Sequence, residues 1–296
     1  MFCAQCQEAA GNTGCTNRGV CGKLSETANL QDVLVYAAKG LALALDMLHK
    51  EAGETGRHIA PEVTIESGRA LYCALFTTVT NVSFDDDRIA ETIFEVLRQK
   101  DTVVSRLQSA TPSGLPGVVT WSPADGDIDA LRSMIPTASI LADEDENARA
   151  LKQLATFGLK GIAAYGDHAL ILGYEDEDQY GEFARILAGT MTETDANALT
   201  QLVLDTGGLA VKTMALLDKA NTETYGNPEI TEVNIGVKNR PGILISGHDL
   251  KDMHELLEQT KDAGVDIYTH GEMLPANYYP TFKKYDHFAG NYGNSC

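Results

Sequence analysis

Long hydrophobic runs are missing from this chain. The longest, Val33 to Leu48, is interrupted by Lys39 and Asp46 and falls short of the roughly 20 apolar residues that a membrane-spanning helix needs. Basic residues are scarce as well: 23 Lys and Arg stand against 42 Asp and Glu, a formal net charge of −19. Phosphate binding needs clustered Lys and Arg, so nucleic acid is excluded as a partner. The acidic surface suits solubility or docking to a basic partner. Met1-Phe2-Cys3 is not a basic stretch followed by an apolar one, so no signal peptide is read there and a cytoplasmic protein is expected.

Cysteine is almost absent after residue 21. Of six cysteines, Cys3, Cys6, Cys15 and Cys21 lie together, and only Cys73 and Cys296 follow. A secreted disulfide protein would spread its cysteines through the fold. A tight cluster in a large cytoplasmic chain points to metal binding. Cys73 lies in an apolar stretch, Leu71 to Leu75, and reads as a small core residue.

What is present is enough for a sizeable core. The chain has 296 residues, 44% of them hydrophobic, which suggests about two domains. Residues 1–28 are rich in Cys, Gly, Asn and Thr and read as a loop. A helix is expected from an Asn29 N-cap to Leu48, with further helices over 61–78 and 88–107. Residues 111–127 carry Pro112, Gly114, Pro116, Gly117, Pro123 and Gly126 and read as a linker between two small bundles. Helical patterns resume at 128–134, 143–173, 177–189, 193–205 and 208–220. The period then changes. Thr231 to Val237 alternates like a strand. Ile243 to Ser246 and Val265 to Thr269 are short apolar strands, with a helix from Leu250 to Ala263 between them. That order implies parallel pairing through a right-handed crossover. Two parallel strands are few for a sheet that needs both faces covered, so the last region, 226–296, is expected to be only the start of an α/β domain. The fold class is therefore mainly α, with a helical domain over 29–225 before that incomplete Rossmann-like unit.

Two constellations can carry chemistry. The first is Cys3-x2-Cys6-x8-Cys15-x5-Cys21. Thiolates are soft ligands for iron–sulfur clusters or zinc. Zinc sites usually use two closely spaced pairs, and the second pair here is wide. Spacing and compartment therefore favour an iron–sulfur cluster, with zinc as the alternative. The second comes from topology. Ser246-Gly247-His248-Asp249 ends one strand and Thr269-His270-Gly271-Glu272 ends the other. Ligands of open α/β sheets bind at the carboxyl ends of strands, so His248 and Glu272 are candidate iron ligands. The plainer reading makes His248-Asp249 a helix cap. His168 reads as a packed or surface residue, Asp85 to Asp87 as a helix start, and Trp121 as packing between the bundles.

Several stretches together resemble one family, the hybrid cluster (prismane) proteins or hydroxylamine reductases. They are Met1 to Lys23, ETANLQD at 26–32, TNVSFDD at 80–86, YGDHALILGYE at 165–175, NTETYG at 221–226, TEVNIGV at 231–237, PGILISGHDL at 241–250 and YTHGEMLPAN at 268–277. The cysteine spacing is similar to that of the class from strict anaerobes. The resemblance implies a 4Fe–4S cluster on Cys3, Cys6, Cys15 and Cys21. It also implies a hybrid iron–sulfur–oxygen cluster ligated in part by His248 and Glu272. The implied activity is reduction of hydroxylamine to ammonia and water, with nitric oxide reduction and nitrosative-stress defence also attributed to the family, and with electrons from an external redox donor. The family's other hybrid-cluster ligands, several cysteines and a glutamate, lie in a C-terminal half that these residues do not include, and Asn294-Ser295-Cys296 departs from the family pattern. The chain is therefore expected to be a fragment that is inactive alone. A natural short protein that only transfers electrons or senses redox state, and a zinc-stabilised interaction protein, are the competing readings.

Overall fold

The computed structural model describes residues 1–80, 82–108 and 114–294. Among these the protein is mainly helical, with one small parallel sheet. The chain divides into two compact units, Met1–Asp167 with Asp176–Met214, and His168–Glu175 with Ala215–Cys296. Cys296 and Pro112, singled out from the sequence, lie outside the described residues. No described helix is long and apolar enough to cross a membrane.

The first unit is built around α1, Ser25–Thr55. It packs chiefly against α3, Asp86–Val104, and α7, Glu177–Thr192. Its buried residues recur on every side, from Leu30 and Leu34 to Leu45 and Leu48, which marks a helix enclosed by neighbours rather than one with a solvent face. It starts four residues before the expected Asn29 cap. Leu24 is its N-cap without any side-chain hydrogen bond, and Ser25 Oγ instead donates to Asn17 O. Propensity at the cap is overridden by a tie to the cysteine loop. The helix also runs past Leu48 until Gly56, whose φ of 69° is the left-handed end that favours glycine. Helix α2, Pro61–Thr77, and α3 lie close to expectation, with Asp85 accepting from the Arg88 N–H at 3.0 Å. The 111–127 linker holds a short helix, α4, Gly117–Thr120. Two more follow, α5, Ile128–Ala138, and α6, Glu146–Leu170.

The two helices expected at 193–205 and 208–220 are one, α8, Ala196–Tyr225. Gly207-Gly208 does not break it, although each glycine costs about 1 kcal/mol in a helix interior. The flanking Thr206 and Leu209 are buried. A Cβ on Gly158 would lie 2.6 Å from Thr206 Cγ2, so close helix packing outweighs the weak local propensity.

In the second unit, β1 (Gly242–Ile245), β2 (Asp266–Thr269) and β3 (Phe288–Asn291) form a parallel sheet in that order. Helix α9, Leu250–Thr260, connects β1 to β2. The sequence pattern missed β3, whose Gly290 lowers its strand propensity. Thr231 to Val237 is not a strand. It is tied to β3 by Asn291 N–H donating to Asn234 O and by Asn234 Nδ2 donating to Ala289 O, each at 2.9 Å. The Asn234 side chain folds back, accepting from Gly236 N–H and donating to Gly236 O, both at 3.1 Å, and such local bonds compete with a strand ladder. Ile230, Ile235 and Val237 are exposed, as is the β1 segment. A separate core of Tyr225, Met253, Leu257, Ile267 and Phe282 packs this unit.

Candidate metal centre

All four N-terminal cysteines lie in one loop ahead of α1. Its first tie is a pair of backbone hydrogen bonds, Cys3 N–H to Cys15 O at 3.0 Å and Cys15 N–H to Cys3 O at 2.8 Å. Gly14 permits it: its φ is 131°, and a Cβ there would lie 2.5 Å from the Phe2 ring. The loop closes at the other end through Gly19 N–H to Lys23 O at 2.8 Å and Gly22 N–H to Gly19 O at 2.9 Å.

Three buried side chains anchor this loop to helices. Lys23 is 2% exposed and donates to Gln31 Oε1 on α1 at 2.7 Å. Gln31 donates in turn to Ser83 O at 3.1 Å. Lys160 on α6 donates to Gln5 Oε1, between Cys3 and Cys6, at 3.0 Å. Burial first, and repulsion from neighbouring lysines, pull the Lys160 pKa down to about 7 against the opposing pull of Asp32. Sequence reasoning did not assign a role to Lys160 or Gln31; the only trace was a charged or polar residue within otherwise apolar helical stretches.

The thiols are unbridged. Cys15 is buried, Cys3 and Cys6 half-buried, and Cys21 exposed. Backbone N–H groups of Ala10 and Val20 donate to the Cys15 sulfur and lower its pKa, Ala10 at 3.4 Å. Hydrogen bonds to sulfur of this kind stabilise a thiolate and tune an iron–sulfur centre. Among the described residues no three His, Cys, Asp or Glu side chains gather as ligands of one metal ion. A cluster makes a different demand, since each thiolate can bind a separate iron and the sulfurs stand apart. The donor set, four unbridged thiols on one tied loop, fits a cluster better than a single ion.

The second constellation lies in the other unit. β1 and β2 pair in parallel with Ile245 opposite Thr269, so His248 and Glu272 follow the carboxyl ends of adjacent strands. Both are exposed, and among the described residues neither forms a hydrogen bond or ion pair. Asp249 alone caps α9, accepting from Lys251 N–H at 2.8 Å, so His248 is left out of the capping role. The turn bearing Glu272 is firmly held. His270 N–H donates to Ile245 O at 2.9 Å. Asn277 donates to Thr269 Oγ1 and to Leu274 O, each at 2.9 Å, and Thr269 donates to Asn291 Oδ1 at 3.0 Å. Sequence reasoning missed this buried Thr269–Asn277–Asn291 network. The remaining candidates take plain roles: Cys73 is half-buried in α2 with its pKa raised by burial, and Trp121 stacks edge-on against Tyr36 at 5.8 Å.

Comparison with known proteins gives one family. The model of the Prismane/CO dehydrogenase family matches residues 1–296. Among curated relatives, a hydroxylamine reductase of Halothermothrix orenii is 51% identical over 304 residues, covering 100% of this chain and 53% of its own length. Those of Methanocaldococcus jannaschii (50% identical, 52% of its length) and Nitratidesulfovibrio vulgaris (48% identical, 53% of its length) also match the whole chain. The chain thus spans about half the length of the curated relatives it matches.

Proposed function

The chain belongs to the Prismane/CO dehydrogenase family, and from that membership we propose that it is the N-terminal, electron-relaying half of a hydroxylamine reductase. The observation that carries the reading is the tied loop of four unbridged thiols in a chain about half identical, over its whole length, to relatives named hydroxylamine reductase. In this reading Cys3, Cys6, Cys15 and Cys21 hold a 4Fe–4S cluster, and His248 and Glu272 are two ligands of a hybrid cluster whose other ligands lie outside these 296 residues. When bound, such clusters supply electrons and a Lewis-acidic iron at which hydroxylamine takes up two electrons and two protons to give ammonia and water.

The chain's own residues have definable parts. The Cys3–Cys15 backbone pair and Gly14 fix the thiol geometry. The Ala10 and Val20 amides stabilise the Cys15 thiolate. Lys23, with Lys160 in its protonated form, places positive charge beside a loop that becomes negative on loading, which favours acceptance of an electron. The Asn277 network holds the turn that presents Glu272. Electrons come from an external redox protein, the substrate is hydroxylamine or nitric oxide, and unbridged thiols favour a cytoplasmic setting.

Anaerobic reconstitution with iron and sulfide tests the first part: about four irons per chain with a 4Fe–4S spectrum supports it, and zinc without sulfide overturns it. Ammonia production from hydroxylamine with a reduced viologen tests the second. The isolated chain should show none. In a protein of the relatives' full length, H248A and E272A should each abolish turnover while the N-terminal cluster signal stays. Turnover by the isolated chain, scaling with its own iron, would refute the assignment.

A further inference from the structure

One cavity of the helical unit holds charged groups that the cluster reading leaves unused. It encloses about 400 Å³ between α1, α6, residues 137–144 and the start of the chain. Of the four clustered cysteines only Cys3 reaches its wall. Lys39, half-buried on α1, lines it. Burial first, and repulsion from Lys152 second, bring its pKa down to about 8 against the opposing pull of Asp143 and Asp32. The other cations of the wall are engaged. Lys152 pairs with Asp143 at 2.6 Å, Lys160 donates to Gln5, and Arg149 donates to Asp143 O at 2.8 Å. Lys39 has no hydrogen bond or ion pair among the described residues.

Asp32 faces the same cavity two turns earlier on α1 and does not neutralise this charge. Burial raises its pKa to about 7, so near neutral pH it carries only part of a negative charge. A partly desolvated ammonium without an ion pair carries a cost, and an anion seated against it removes that cost. The rest of the wall narrows the choice. Val35, Tyr36 and Met191 line it and suit a carbon body, and the space far exceeds that of an inorganic ion. Four cations, Lys39, Arg149, Lys152 and Lys160, stand on the wall against three carboxylates, Asp32, Asp143 and Glu144, so one negative charge is the match.

We propose that this cavity binds a small organic monocarboxylate, with its carboxylate on Lys39 and its apolar body against Val35, Tyr36 and Met191. The proposal does not depend on hydroxylamine as substrate, and its test reads no turnover.

Butyrate is the probe, with nitrate and butylammonium as comparisons, in calorimetry and thermal melts of the full chain. Butyrate should bind saturably, one per chain, and raise the melting temperature by linkage. Nitrate should bind at least about tenfold more weakly, and butylammonium should give no saturable heat. K39M and K39Q should each lose at least about tenfold in butyrate affinity, and K39M should melt no lower than the parent because a half-buried ammonium without an ion pair is gone. On the unmutated chain, saturating butyrate should slow carbamylation of Lys39 by cyanate, read by peptide mass. Absent butyrate heat, equal affinity in both Lys39 variants, nitrate binding as tightly as butyrate, or unprotected Lys39 would each overturn the proposal.

Discussion

The thiol loop and the His248/Glu272 pair are both candidate ligand sets, and the protein treats them differently. The loop is tied at Cys3–Cys15, closed at Gly19–Lys23 and anchored through buried Lys23 and Lys160. All its soft donors lie within one segment, and the groups that would tune them are beside it. His248 and Glu272 are exposed, with no partner among the described residues, although the turn that carries Glu272 is well anchored. One set brings its own surroundings; the other presents ligands without them. A site whose donors are contiguous can be supported locally, whereas a site assembled at strand ends depends on whatever else packs over the sheet edge.

That contrast can be broken by metal content, where the largest effect is expected. C15S should strip most of the bound iron and sulfide from this chain, while H248A/E272A should leave both unchanged; equal losses would end the distinction. The next effect concerns what holds the second unit. Asp266 on β2 is fully buried, its carboxylate pairs with Arg240 at 2.5 Å, and its Oδ2 has no partner among the described residues. R240A should therefore cost about 3 kcal/mol in urea unfolding, because it leaves a buried carboxylate unpaired. A loss below about 0.5 kcal/mol would mean water replaces the guanidinium without penalty.

A smaller effect is set by pH in the first unit. Burial raises Asp32, against the opposing pull of Lys160, the N-terminal ammonium, Lys23 and Lys39, from 3.8 to about 7. The folded state then keeps a proton that the unfolded chain has released. The stability from this group is fully present below 3.8 and is lost as pH rises through about 7. Relative to D32N, the parent should lose about 2 kcal/mol between about pH 5 and about pH 8, measured as the difference of two denaturation series. Parallel series would show that Asp32 is solvated in the cavity. Last and smallest, H248A and E272A should each change stability by less than about 0.5 kcal/mol. A larger loss would show that they are structural, contrary to the contrast drawn above.

Much of the helical part was legible because α2, α3 and α7 carry their own start signals: Pro61 at the first turn, and Asp85 and Asp176 as caps. Where the signal was weak the tertiary structure decided. Nothing local makes Leu24 a good cap or Gly207-Gly208 a good helix centre; the Ser25–Asn17 tie and the buried Thr206 and Leu209 settle both. Thr231 to Val237 had the right alternation, but the Asn234 side chain bonds Gly236 and the distant Ala289 carbonyl. The cysteine set was legible from spacing. Lys160 and Gln31 were not, because their roles depend on contacts 155 and 52 residues away.

What the sequence determined by itself is chemical identity and order: four thiols in one short segment, a change from helical to strand period near residue 230, and a histidine and a glutamate each after a short apolar run. Those properties depend on covalent connectivity and near neighbours. What only the tertiary structure decided is environment. It buried Lys23 in the thiol loop, set Lys39 on a cavity wall without a hydrogen bond or ion pair among the described residues, and left His248 and Glu272 exposed. Desolvation and charge pairing depend on which distant residues arrive in space, and no local pattern encodes that.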